Sequence, residues 1–74
     1  MTPTQCKMAR VAMDWTGKEL AARAKIGSAT VARYELGESI HPDKLEAMRT
    51  AFTAAGIVFI KSGAHAGGVV PPRR

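Results

Sequence analysis

Apolar positions recur along the first 56 residues at the three-and-four spacing of amphipathic helices, then give way to a continuous apolar run. Cys6, Ala9, Arg10 and Met13 fall on one helical face. Thr2-Pro3-Thr4-Gln5 opens that helix with a capping hydroxyl, a proline at the first helical position and a glutamine able to reach back to the cap. Asp14-Trp15 leaves it, with Trp15 placed as a hydrophobic staple ahead of the next cap. Thr16 and Glu19 form a second capping box, and Leu20, Ala21 and Ala24 make the inner face of the helix that follows. Lys25-Ile26-Gly27 is a short turn, with Ile26 directed at the core. Gly27 or Ser28 caps a third helix, which buries Val31 and Tyr34 and ends at Gly37 in the left-handed conformation. After a loop over 38–41, Pro42 and Asp43 start a fourth helix. Its stripe is Leu45, Met48, Phe52 and Ala55, and Gly56 is its natural stop.

Residues 57–60, Ile-Val-Phe-Ile, are compact, β-branched and aromatic, which is a strand signal. Val69-Val70 is a candidate second strand, reached through a glycine-containing loop over 62–68 and ended by Pro71-Pro72. The pattern predicts a mainly α domain of four to five helices with a short C-terminal β-strand or hairpin. Residues 1–56 form the helical part, and 57–74 the strand and tail. A lone apolar strand leaves backbone groups unpaired and invites aggregation. Ile57, Val58, Phe59 and Ile60 therefore either fold back on Val69-Val70, pair with a second subunit in a dimer, or cover the domain's own core.

Seventy-four residues make one domain with one modest core and little room for a deep enzyme pocket. The formal net charge of +5 favours a polyanionic partner, nucleic acid above all, although Arg73 and Arg74 at the end supply two of those charges. Cys6 is the sole cysteine, so no internal disulfide forms, and His41 and His65 are too few and too far apart to build a metal site with it. Cys6 reads as a small buried hydrophobe. These features predict a reduced, cytoplasmic protein without metal or cofactor. The polar opening residues predict no signal peptide, and no apolar run approaches a membrane span. No nucleophile–base pair, paired carboxylates or phosphate-cradling glycine loop suggests catalysis.

The segment 16–37 has the requirements of a helix-turn-helix: a small residue, Ala21, where two helices cross, and Leu20, Ile26, Val31 and Tyr34 to lock their angle. The left-handed position of the turn falls on Lys25, at a cost of about 1 kcal/mol against glycine. With Arg10, Thr16, Glu19-Leu20-Ala21, Thr30-Val31 and Glu35-Leu36-Gly37 in order and spacing, the chain resembles the Cro/repressor-type helix-turn-helix, or XRE, family. Its C-terminal part is similar to a short bacterial branch of that family. The resemblance covers the first three helices, and the fourth is similar in style.

The resemblance implies an ion pair between Arg10 and Glu35, tying the first helix to the end of the third. It makes the third helix, 28–36, the recognition helix in the major groove of double-stranded DNA. Ser28, Ala29, Ala32 and Arg33 then face the bases, with Arg33 the best reader because a guanidinium bonds a guanine edge bidentately. Thr16, Gly17, Lys18, Thr30 and Lys44 are the expected phosphate contacts. The chain departs from the family at Gly17, where glutamine is usual, and at Glu38, where a basic residue is common. Lys44 or His41 can offset the Glu38 charge. The implied function is a dimeric, sequence-specific transcriptional regulator, a repressor or controller reading a palindromic operator. The alternative is a protein-interaction module on the same fold, like an antitoxin or antiactivator, to which the small Ser28-Ala29 tip and Glu38 lend support.

Overall fold

A computed structural model describes residues 1–60 and 68–71. Helices α1 (Pro3–Ala12), α2 (Gly17–Ala24), α3 (Ser28–Glu35) and α4 (Pro42–Ala54) precede two short strands, β1 (Val58–Phe59) and β2 (Val69–Val70). The four-to-five-helix expectation resolves to four among the described residues. Most of the 62–68 loop, His65, Arg73 and Arg74 lie outside them.

The chain turns at the end of every helix by the same device. A residue in the left-handed conformation follows α1, α2, α3 and α4: Asp14 (φ 58°), Lys25 (φ 59°), Gly37 (φ 92°) and Gly56 (φ 95°). In each case the next residue's N–H bonds back to a carbonyl five positions earlier: Trp15 to Arg10, Ile26 to Ala21, Glu38 to Arg33 and Ile57 to Phe52, at 2.9–3.0 Å. These are Schellman closures, which satisfy carbonyls the helix leaves open. They also drop the following apolar residue onto the core: Trp15 and Ile57 are buried and Ile26 packs at the core's margin.

Phe52, Leu20, Met48 and Val31 are fully buried at the centre. Each contributes about 1.5–3 kcal/mol by leaving water. Trp15 stacks on Phe52 at 5.6 Å between centroids, and Phe59 meets the same ring edge-on at 5.8 Å. The α2 helix packs on both α3 and α4.

The C-terminal run takes the fold-back form. β1 and β2 are antiparallel, with Val58 opposite Val70 and Phe59 opposite Val69. Gln5 fixes this hairpin to α1. Its side-chain oxygen completes the capping box with Thr2, while its Nε2 donates to the carbonyls of Ile60 (3.2 Å) and Gly68 (3.1 Å). A glutamine read as a cap thus also bonds two carbonyls just outside the strands, that of Ile60 and that of Gly68, the latter also accepting from the Ile60 N–H at 3.0 Å.

Candidate nucleic-acid interface

The turn between α2 and α3 is held by Lys25 at φ 59°, ψ 44°, the left-handed position expected from the sequence. It brings the start of α3 beside the start of α2. Gly27 is the N-cap of α3 and provides no side-chain cap; the Thr30 N–H is taken by the Gly27 carbonyl at 3.1 Å, which leaves the Ser28 and Ala29 N–H groups for an external acceptor. Ser28, Ala29, Ala32 and Arg33 are all exposed on α3, opposite the buried Val31 and Tyr34, and Thr30 is half-buried.

At the start of α2 the Thr16 hydroxyl accepts from the Glu19 N–H at 3.1 Å. The reciprocal arm of the expected capping box is replaced: the Glu19 carboxylate pairs with Arg23, one helical turn on, at 3.1 Å. Arg23 in turn lies 4.4 Å over the Trp15 ring, whose face attracts a cation. The Thr16 hydroxyl retains its proton as a donor to an anion.

Thr16, Gly17, Lys18, Ser28 and Ala32 line one concavity of about 520 Å³ between the two helices, together with Arg10 and Glu35. Five of the expected DNA-facing residues therefore converge. Ala29, Thr30, Arg33 and Lys44 are not part of this concavity. Gly17 is not required there by sterics: a Cβ would meet only Val31 Cγ1, at an ordinary 3.9 Å.

Behind the concavity, Arg10 and Glu35 form a two-pronged pair. Arg10 Nε donates to Glu35 Oε2 at 2.8 Å and Nη2 to Oε1 at 3.0 Å, while Nη1 donates to the Trp15 carbonyl at 3.1 Å. One guanidinium thus joins the end of α1, the entry to α2 and the end of α3. The side chains remain 20% and 13% exposed, so the pair is partly rather than fully buried. The hydrogen bond to Glu35 raises the Arg10 pKa, against the opposing pull of burial. The buried Cys6 thiol donates to Glu35 Oε2 at 3.8 Å. Burial, then the Glu35 charge and hydrogen bond, push that thiol up to about 12 although Arg10 pulls it down. A thiol held protonated is a poor nucleophile, consistent with a packing role.

The cations divide into two groups. Arg10, Arg23 and Arg49 are engaged by Glu35, Glu19 and Glu46. Lys7, Lys18, Lys25, Arg33 and Lys44 form no ion pair among the described residues. Lys18 and Arg33 lie on α2 and α3 and Lys25 on the turn between them. Lys44 lies in the first turn of α4. His41 is not merely a loop residue: it is the N-cap of α4, its Nδ1 accepting from the Asp43 N–H at 3.2 Å.

Of the residues proposed for dimerisation, Ile57 is buried in the domain's own core, because the Schellman closure at Gly56 turns it inward. It offers no side-chain surface to a second subunit. Val58 is 58% exposed, and Phe59 and Ile60 are half-buried. No His/Cys/Asp/Glu cluster able to hold a metal occurs among the described residues, and no helix there is long and apolar enough to cross a membrane.

Comparison with known proteins agrees with this geometry. No match was found among curated proteins. A protein-family model described as helix-turn-helix matches residues 7–52, more than half the chain, from α1 through most of α4. The chain therefore belongs to the helix-turn-helix family of the Cro/repressor (XRE) type, a family of DNA-binding transcriptional regulators.

Proposed function

We propose that this regulator reads a palindromic operator as a dimer, with α3 in the major groove, and acts as a repressor or controller in the cytoplasm. The observation that carries the reading is the outer face of α3. It has no side-chain cap at its start, is lined by the small side chains of Ser28, Ala29 and Ala32, and carries near its end Arg33, which forms no ion pair among the described residues. Small side chains let the helix axis approach base edges closely, and the guanidinium then reaches a guanine O6 and N7. The thymine methyl group is the natural partner of Ala29 or Ala32.

Thr16, Gly17 and Lys18, which line the concavity with Ser28, bind a phosphate flanking the reading helix together with the Ser28 and Ala29 N–H groups. Thr30 and Lys44 extend the same role on either side. Glu38 opposes phosphate, and Lys44 offsets it. With few side chains able to reach bases, the shape and deformability of the operator supply part of the specificity.

The dimer forms through β1, using Val58, Phe59 and Ile60 with Ile57 packed beneath them. β1 is hydrogen-bonded on one edge only among the described residues, and an exposed apolar strand edge favours pairing with its copy. Reading two half-sites on one face of DNA requires the dimer to hold its two α3 helices about 34 Å apart, one helical turn.

The test is an operator selected from random sequence, compared with unrelated DNA, for wild type and Arg33→Ala. The expected outcome is a loss of about 1–3 kcal/mol on the operator and a much smaller loss on unrelated DNA. Equal losses on both would move Arg33 to phosphate binding and remove the base-reading assignment.

A further inference from the structure

A second surface lies away from α2 and α3. A groove of about 500 Å³ runs between α1 and β2, with Lys7, Met8, Val11, Ala12, Val69 and Pro71 among its lining. Met8 is 41% exposed and Val11 64%, so two large apolar side chains of one helix face stand in solvent. Soluble domains rarely leave such side chains grouped unless a partner covers them.

Charge identifies the kind of partner. All six carboxylates of the chain fall between Asp14 and Glu46. The groove's lining carries none, and Lys7 is its one charged side chain, without an ion pair among the described residues. A second copy seated here would bring one Lys7 toward another with no carboxylate in the lining to pair with either. A segment with an apolar ridge and acidic flanks meets both the floor and the rim.

We propose that the α1–β2 groove is a docking site for a short acidic amphipathic helix of a partner protein. Apolar side chains at helical spacing fill the space between Met8, Val11 and Val69, and a flanking carboxylate pairs with Lys7. The DNA-facing residues sit on α2 and α3, so the site works whether or not DNA is bound, and it does not depend on the operator reading.

The experiment titrates the full chain with a synthetic helical peptide of about 14 residues, leucines on one face and glutamates beside them. A second peptide carries lysine at every glutamate. Calorimetry and methyl resonances of Met8, Val11 and Val69 report the outcome. The acidic peptide is expected to bind about tenfold tighter than the basic one and to shift those methyls, leaving Ala29 and Ala32 unmoved. Val11→Asp, at an exposed position, should cut acidic-peptide affinity about tenfold while melting temperature and DNA binding stay unchanged. Lys7→Glu should shift the preference toward the basic peptide. The proposal is overturned if neither peptide binds, if both bind equally, or if Val11→Asp has no effect. It is also overturned if anionic phosphatidylglycerol vesicles move the same methyls and the acidic peptide does not, which would make the groove a lipid surface. Loss of self-association in Val11→Asp would assign the groove to a second copy instead.

Discussion

Arg10 is the residue on which the geometry of the interface turns. Its three donors hold the Glu35 carboxylate and the Trp15 carbonyl, so the ends of α1 and α3 and the start of α2 share one anchor. Exposed pairs contribute about 0–1 kcal/mol, and breaking a buried one costs about 3–5. At 20% and 13% exposure this pair lies between. Glu35→Ala is expected to cost about 2 kcal/mol and lower the melting temperature by roughly 10 °C, measured by thermal unfolding. An unchanged melting temperature would contradict the anchoring role. Cys6 adds a pH dependence from the same cluster. Its thiol is raised from 9.0 to about 12, chiefly by burial. Below pH 9 the folded and unfolded chains are both protonated there, and Cys6 adds no slope. Between the two values the unfolded chain releases a proton that the folded one keeps, so stability falls as pH rises. Cys6→Ala should lose less stability than wild type between about pH 8 and about pH 10.5, read from urea midpoints. Tyr34, also raised by burial, leaves a residual decline in both.

At the scale of elements, the four left-handed closures explain why so much of the fold was legible. Gly37 and Gly56 announce themselves, since glycine alone adopts that backbone freely. Thr2, Pro3, Thr16, Pro42 and Asp43 marked helix starts by chemistry that acts within one turn. Asp14 carried no such signal, because nothing in its type demands φ 58°. Glu19 was misassigned for a related reason: a carboxylate three residues after a cap and four before an arginine has two local partners, and Arg23, fixed over Trp15, takes it. Gln5 and Ile57 required long-range knowledge. Whether Gln5 reaches a hairpin more than fifty residues on, or Ile57 faces inward, depends on how the hairpin folds back. The helix faces around the candidate interface followed from period alone, whereas the convergence of Thr16, Gly17, Lys18, Ser28 and Ala32 on one concavity needed the angle between α2 and α3. One element-scale prediction follows from Lys25. It holds a conformation costing a non-glycine residue about 1 kcal/mol, so Lys25→Gly should raise stability by about that amount and the melting temperature by roughly 4–8 °C. A fall in melting temperature would mean that the lysine side chain supports the turn in a way its geometry does not explain.

At the scale of the whole molecule, the charges are arranged by use. The carboxylates at Glu19, Glu35 and Glu46 pair with Arg23, Arg10 and Arg49, of which Arg10 ties separate helices together. Among the described residues, that leaves Lys18, Lys25, Arg33 and Lys44 without an ion pair on α2, the turn after it, α3 and the start of α4. The groove between α1 and β2 is instead lined mainly by apolar side chains, with Lys7 its one charge and no carboxylate. One face is thus suited to a polyanion and the other to an apolar contact. Several phosphate contacts release counterions on binding, so affinity for any DNA should fall steeply as salt is added. The proposed base contacts by Arg33 and its small neighbours would add a component that random DNA lacks. The most direct measurement is binding of the purified protein to the DNA upstream of its own gene and to random DNA of equal length, across a salt series. The account predicts a dimer-sized complex whose preference for the upstream DNA persists as salt rises and affinity for both declines. Weak binding that disappears equally on both DNAs would contradict sequence reading by α3.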